Sequence, residues 1–313
     1  MDRLLVAPNP KKGSAMGRGT NKEEESSKSS FEAKLAAARE RGKAVSVKTP
    51  TAQQLALPTW PEKVRGVPNA VLRGALFTVG QDRVMFKELT PVATVEGIEI
   101  SVMGPRLNQH DLDLFEMLLH GQQDLPLGAP VHFTARGLLK ALGRGTSGKH
   151  HKELQNDMAR LISSVIHIRW TDQKKGLIDK LVERVYIDES TDHWVVEFSP
   201  QLMKLYADGY TWIDPDERKA LGRNNIAKWA HGFYASHAKP FAYSVATLWG
   251  LSGSTATRRE FRRKLQTALE ELKKVGAIDD WSIDVSDLVH IRRSPSQSQR
   301  KHLAKAKVIH KKG

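Results

Sequence analysis

Residues 257 to 275 read TRREFRRKLQTALEELKKV. Phe261, Leu265, Ala268, Leu272 and Val275 recur at steps of four, three, four and three, which holds them in one stripe of a helix with about 3.6 residues per turn. With Phe261 set at the origin and about 100° per residue, Arg259, Arg262, Arg263 and Gln266 fall between roughly 100° and 200°. They lie opposite the stripe, with Arg258 on its flank. The basic residues occupy the first half of the helix, and Glu270 and Glu271 come two turns later. A helix with a cationic N-terminal half and an apolar back suits entry into a DNA major groove by its N-terminal end. Arg bonds guanine O6 and N7 together, Gln does the same for adenine, and an Arg that misses a base edge still holds a phosphate. The alternative is a solvated basic face on an ordinary amphipathic helix.

Working outward, the surrounding pattern is stated twice. SVATLWGLSG predicts a short helix ended by glycine just before the long one, NNIAKWAHGFYASHA a further helix, and the stretch from Ala277 to Ile291 alternates toward a strand pair. Upstream, FTARGLLKALG predicts a short helix from Thr134 to Gly143. The RGTSG turn follows, then a longer helix from about Lys149 with Leu154, Met158, Leu161, Ile162 and Val165 on one face. VIHIRW, a polar tip TDQKKG, LVERVYID and HWVVEFS then read as hairpin strands. GLLKALGRGTSGKHHKEL and VATLWGLSGSTATRREF match at the turn between helices. The predicted fold class is α+β, with two tandem winged helix-turn-helix domains at 69–207 and 208–292. An unrelated α+β domain is the alternative. Around the first long helix Lys149, Lys152 and Asn156 face outward with Gln155 flanking. That face is less cationic and suits phosphate contacts, so the second unit is expected to read sequence and the first to position the protein.

The chain has 313 residues, a formal net charge of +14 and no cysteine. Disulfides and cysteine-based metal sites are therefore excluded, and a reducing cytoplasm is expected. Residues 1–52 hold 11 Lys/Arg against 6 Asp/Glu, and residues 292–313 hold 8 Lys/Arg and no acid. The 30 bases and 29 acids between the tails nearly cancel, so DNA binding by the folded part must rest on local clusters. A disordered basic N-terminal tail at 1–52, with a short helix around 31–41, and a basic C-terminal tail at 293–313 are expected from composition. No apolar run reaches the ~18 residues of a membrane span.

The chain resembles the TrfA family of plasmid replication initiators over roughly residues 53–293. The resemblance is carried by QLALPTWPEKVRGVPN, RGALF at Arg73–Phe77, GAPVHFT leading into GLLKALG, FSPQLMKLYADGYTWI, and ALEELKKVGAI through DLVHIRR. It implies two winged-helix domains that bind direct repeats (iterons) of double-stranded origin DNA as monomers, with dimers inactive or repressive. It further implies opening of A·T-rich DNA, contact with single-stranded origin DNA, and recruitment of the host replicative helicase and host initiator. No catalytic residue, cofactor or metal is expected. The residues implied for DNA contact are those already derived, Arg258, Arg259, Arg262, Arg263 and Gln266 in one helix and Lys149, Lys152, Gln155 and Asn156 in the other.

Within the segment expected as a linker, 53–68, the resemblance places a sliding-clamp peptide of the type Gln-Leu-x-Leu-Phe. Gln54, Leu55 and Leu57 match it, and Pro58 stands where the family has an aromatic residue. The rival reading packs Leu55, Leu57 and Trp60 onto the first domain. A dimeric winged-helix repressor is the second reading of the whole chain, and a rolling-circle nicking enzyme the third. The last lacks its motif, since VIHIRW offers only His167. His150 and His151 point apart on a helix, and GRGTSGK lacks the spacing of a phosphate-binding loop.

Overall fold

The computed structural model describes residues 56–58, 60–206, 209–295 and 299. Gln54, Leu55, the 1–52 tail with its expected helix, and most of the 293–313 tail lie outside the described residues.

In chain order the elements are β1 (Arg65–Pro68), α1 (Asn69–Leu72), β2 (Phe77–Thr78), β3 (Met85–Val92), β4 (Ile98–Pro105), β5 (Leu107–Asn108), α2 (Gln109–Gln122), β6 (Val131–Thr134), α3 (Ala135–Ala141), α4 (Gly148–Ser163), β7 (Val165–Trp170), β8 (Lys175–Lys180), β9 (Arg184–Asp188) and β10 (His193–Glu197). A 3₁₀ turn at Pro200–Tyr206 leads to β11 (Tyr210–Ile213), α5 (Pro215–Ala220), α6 (Asn225–Ala235), β12 (Tyr243–Ser244), α7 (Val245–Leu251), α8 (Arg258–Lys274), β13 (Asp280–Ile283) and β14 (Leu288–Arg292).

The order helix, strand, short helix, long helix, two strands occurs twice, as α2-β6-α3-α4-β9-β10 and as α6-β12-α7-α8-β13-β14. The sheets agree as well: β6-β10-β9 and β12-β14-β13 have the same order, and every pair in them is antiparallel. Local chemistry repeats at matching points. Thr134 and Ser244 each cap their short helix by accepting the amide of the residue three positions on, at 3.0 Å in both cases. This satisfies one of the donors a helix start leaves free. Gly143 and Gly253 stop those helices at φ of 68° and 61°, a backbone region that glycine enters without steric cost. Asp192 and Asp287 each precede the last strand at φ of 56° and 61°. Their carbonyls accept the first amide of the short helix, Ala135 N at 3.2 Å and Val245 N at 2.9 Å.

One strand differs from expectation. VIHIRW is not part of the hairpin after the long helix: it joins β3, β4 and β8 in a four-stranded sheet of order β3-β4-β7-β8, so the first repeat carries an inserted hairpin before β9. Its alternation satisfies any half-buried pairing equally well, and the partner is set from far along the chain. Lys175–Lys180, read partly as a polar tip, is a strand.

Two hydrophobic clusters form within the unit spanning residues 54–313. The first gathers α2, α3, α4 and the strands around them, and the second gathers α6, α7 and α8. Val79, from ahead of both repeats, is buried in the second cluster. The segment expected as a linker is packed in: Leu57 is 3% exposed, Trp60 stacks on Tyr206 with centroids 6.2 Å apart, and β1 pairs with β11. No helix among the described residues is long and apolar enough to cross a membrane.

Candidate nucleic-acid interface

Helix α8 starts where Thr257 accepts the Glu260 amide at 3.3 Å. The indole of Trp249 on α7 donates to Ala256 O at 2.8 Å, fixing the turn between the two helices. Phe261, Leu265, Ala268 and Leu272 are buried as the periodicity predicts, Leu269 joins them, and Val275 is half-buried. Full burial of such a row of apolar side chains, worth about 1.5–3 kcal/mol for each large one, locks the rotation of the helix. The opposite face is thereby held in solvent.

On that face Arg258, Arg259 and Arg263 are exposed, and none has a carboxylate within ion-pair distance among the described residues. Arg262 is half-buried, and its Nε donates to Asp287 Oδ1 at 2.7 Å, across to the turn between β13 and β14. Gln266 is half-buried one turn on. The far end of the helix is neutralised: Lys273 pairs with Asp280 at 2.9 Å, Arg292 approaches the same carboxylate at 3.4 Å, and Trp281 donates to Glu270. Lys264 pairs with Glu260 at 2.7 Å, so among the described residues Arg258, Arg259 and Arg263 are the cations of the first two turns without an ion-pair partner.

In the first repeat Lys149, Lys152 and Asn156 are exposed on α4. Lys149 lies 4.0 Å from Glu153, and Gln155 donates to Glu189 Oε1 at 3.0 Å. His150 bonds Ser147 at 2.8 Å while His151 faces Asp192, so the two imidazoles point to different partners. The expected site residues of each helix therefore share a face, and the two sets sit on equivalent helices of the repeat.

Sequence reasoning missed the acidic character of both hairpin turns. Asp188, Glu189 and Asp192 flank the β9–β10 turn, and Asp284 and Asp287 bound the β13–β14 turn. Position within the repeat was the signal that could have found them, since Asp192 and Asp287 each stand just ahead of a strand. It also missed a cleft of about 930 Å³ where α2 meets α5 and α6, lined by Arg65, Asp113, Glu116, Arg218, Lys219 and Arg223 among others. Asp113 accepts from Arg218 at 2.7 Å and Lys228 at 2.6 Å. Burial opposes ionisation of Asp113, yet Arg218 and Lys228 hold it below the ordinary carboxylate range. Burial pushes the neighbouring Glu116 up to about 7.

Comparison with known proteins places the chain in a family. The family model described as TrfA protein matches residues 18–293. The plasmid replication initiator protein TrfA of Escherichia coli is 25% identical over 246 residues, a match covering 75% of this chain and 63% of that protein. The chain thus spans just under two thirds of its curated relative. Among solved structures, a crystal structure of domains 2 and 3 of RctB superposes with a TM-score of 0.48 at 13% identity, covering 72% of this chain and 95% of that one. A second structure of RctB domains 2–3 gives 0.44 at 13% identity, covering 63% and 81%.

Proposed function

This chain belongs to the TrfA protein family, and from that premise we propose that it initiates plasmid replication by binding direct repeats in duplex origin DNA. The observation that carries the proposal is the α8 surface, an arginine face on which Arg258, Arg259 and Arg263 have no ion-pair partner among the described residues, rotationally fixed by a dry seam behind it. In this reading both repeats are winged helices, and α4 and α8 occupy the recognition position. Helix α8 reads base edges through Arg258, Arg259, Arg262, Arg263 and Gln266. Helix α4 holds phosphate through Lys149 and Lys152, with Gln155 and Asn156 beside them. The acidic hairpin turns keep the wings off the phosphate backbone, so binding depends on the helices.

The initiator acts in the cytoplasm without catalysis of its own. Binding energy spent on stacked repeats strains the adjacent A·T-rich DNA, and the opened strand is the platform for host initiator and replicative helicase. Self-association into dimers is the inactive state. Contact with a sliding clamp runs through Gln54, Leu55, Leu57 and Pro58, and since Leu57 lies in the first core, this peptide must peel away to be captured. A Gln54→Ala, Leu55→Ala variant is expected to lose clamp affinity in a pull-down titration and to keep repeat binding. Unchanged clamp affinity retires that contact.

Footprinting on DNA flanking the chain's own gene tests the main proposal. Protection at a regular spacing of whole helical turns is expected, with affinity for one repeat well above that for random duplex at the same salt. Equal affinity for repeat and random duplex overturns it, and a single palindrome bound only by a dimer, without strand opening, replaces it with repression.

A further inference from the structure

We propose that Asp287 is a positioning residue that sets the base specificity of Arg262. This rests on the reading of α8 as the recognition helix and names the device that aims one of its side chains. Asp287 ties three elements together. Its φ of 61° turns the chain into β14, its carbonyl accepts Val245 N at 2.9 Å at the start of α7, and its carboxylate takes the Nε of Arg262 at 2.7 Å. The bond engages only Nε. Both terminal nitrogens of the guanidinium remain, and these are the pair that bonds guanine O6 and N7 together. An arginine already held by its Nε loses less side-chain freedom on reaching the base, and the carboxylate fixes the plane in which its fork approaches.

The first repeat carries an aspartate at the same position and puts its carboxylate mainly to a different use. Asp192 stands at the equivalent position with the same backbone region and the same carbonyl bond to the short helix. Its own side chain accepts the Arg136 amide at 3.2 Å and approaches His151 of α4 only to 4.0 Å. The turn asks for a residue that tolerates a positive φ, which Asp, Asn and Gly all do. Stability is no reason for the pair either: Arg262 and Asp287 side chains are 41% and 46% exposed, and ion pairs so open to water contribute little. An acid beside the arginine face opposes phosphate approach and lowers affinity for every sequence. Its gain is at a single base.

The test measures binding of the full chain to a cognate repeat, to the same repeat with each base pair changed in turn, and to random duplex, for wild type, Asp287→Gly, Asp287→Asn and Arg262→Ala. Glycine removes the carboxylate without backbone strain, and asparagine keeps an acceptor for Nε. With Asp287→Gly, discrimination at one G·C pair is expected to fall about tenfold while random duplex binds as well or more tightly. Asp287→Asn retains most of the discrimination, and adding Asp287→Gly to Arg262→Ala costs nothing further at that pair. The inference is overturned if the glycine variant keeps every base preference, or if cognate and random binding weaken in parallel, as a merely structural role requires. A wild type that does not prefer the repeat at all sinks the parent reading instead, so the two failures are told apart.

Discussion

Helices α4 and α8 are copies of one architectural part with differently charged outer faces. The buried residues Leu154, Asp157, Met158 and Leu161 of α4 match Leu265, Ala268, Leu269 and Leu272 of α8, which aligns Gln155 with Gln266, Lys152 with Arg263 and His151 with Arg262. In both repeats the left-handed aspartate of the hairpin turn faces the same helix position, Asp192 lying 4.0 Å from His151 and Asp287 taking Arg262, while Glu189 of the first turn also takes Gln155. The frame is held constant by caps, glycine stops and left-handed aspartates, while the outward side chains diverge from neutral and singly charged groups to a cluster of arginines. Backbone chemistry specifies the fold in both copies, and the exposed face, free of that duty, carries the difference in charge.

The strongest way to break this comparison is to empty the core beneath the leading half of each long helix. Phe261→Ala and Leu154→Ala remove fully buried side chains and are expected to cost about 3–5 and 2–5 kcal/mol, read as shifts in urea midpoint. If Phe261→Ala left stability unchanged, the seam would not be what fixes the orientation of α8.

The glycine stops sharpen it next. Alanine at either position meets the left-handed penalty of about 1–2 kcal/mol. At Gly253 a Cβ would also lie 2.6 Å from Thr78 Cγ2 and 3.2 Å from Ala75, both buried, whereas at Gly143 it meets only the flexible end of Lys219 at 3.1 Å. Gly253→Ala should therefore destabilise the protein clearly more than Gly143→Ala. Equal losses would mean that the second turn has room the packing denies.

These elements also show what was legible beforehand. The stripe from Phe261 to Leu272, the caps and the two glycine stops follow from local rules and could be read from the chain. Leu269 was passed over because it sits at the edge of the stripe. The placement of VIHIRW could not be read, because β7 is paired with β4, more than sixty residues away. The burial of Leu57 likewise depends on a core assembled from distant segments. Of the candidate interface, the arginines were visible as a helical face. The grip of Asp287 on Arg262 was not, since nothing local marks two residues 25 positions apart as neighbours.

The divergence in charge gives a smaller effect with a distinct signature. Arg263→Ala is expected to lose about 1–3 kcal/mol of preference for the cognate repeat, seen as selective weakening in anisotropy titrations. Lys152→Ala should weaken cognate and random duplex alike and lower the salt slope by about one. Parallel behaviour of the two variants would erase the division of labour between the helices.

A last effect, read only as a function of pH, lies where α2 of the first repeat meets α5 and α6. Glu116 is buried there 3.3 Å from Arg218, with one carboxylate oxygen unpartnered, and burial raises its carboxyl to about 7. A carboxyl that binds its proton more tightly folded than unfolded makes stability fall as pH rises from its ordinary value, near 4.5, toward 7. Glutamine has no such proton to lose, and Arg218 keeps its bonds to Asp113, Lys228 O and Gln109 in either case. Glu116→Gln should therefore gain on wild type between about pH 5 and pH 8 in paired urea melts. His231, whose own proton affinity is lowered by burial, is common to both proteins and cancels in the difference. Curves that stay parallel would show Glu116 ionised throughout, making the joint a permanent ion-pair network, with no proton held in it for solvent pH to remove.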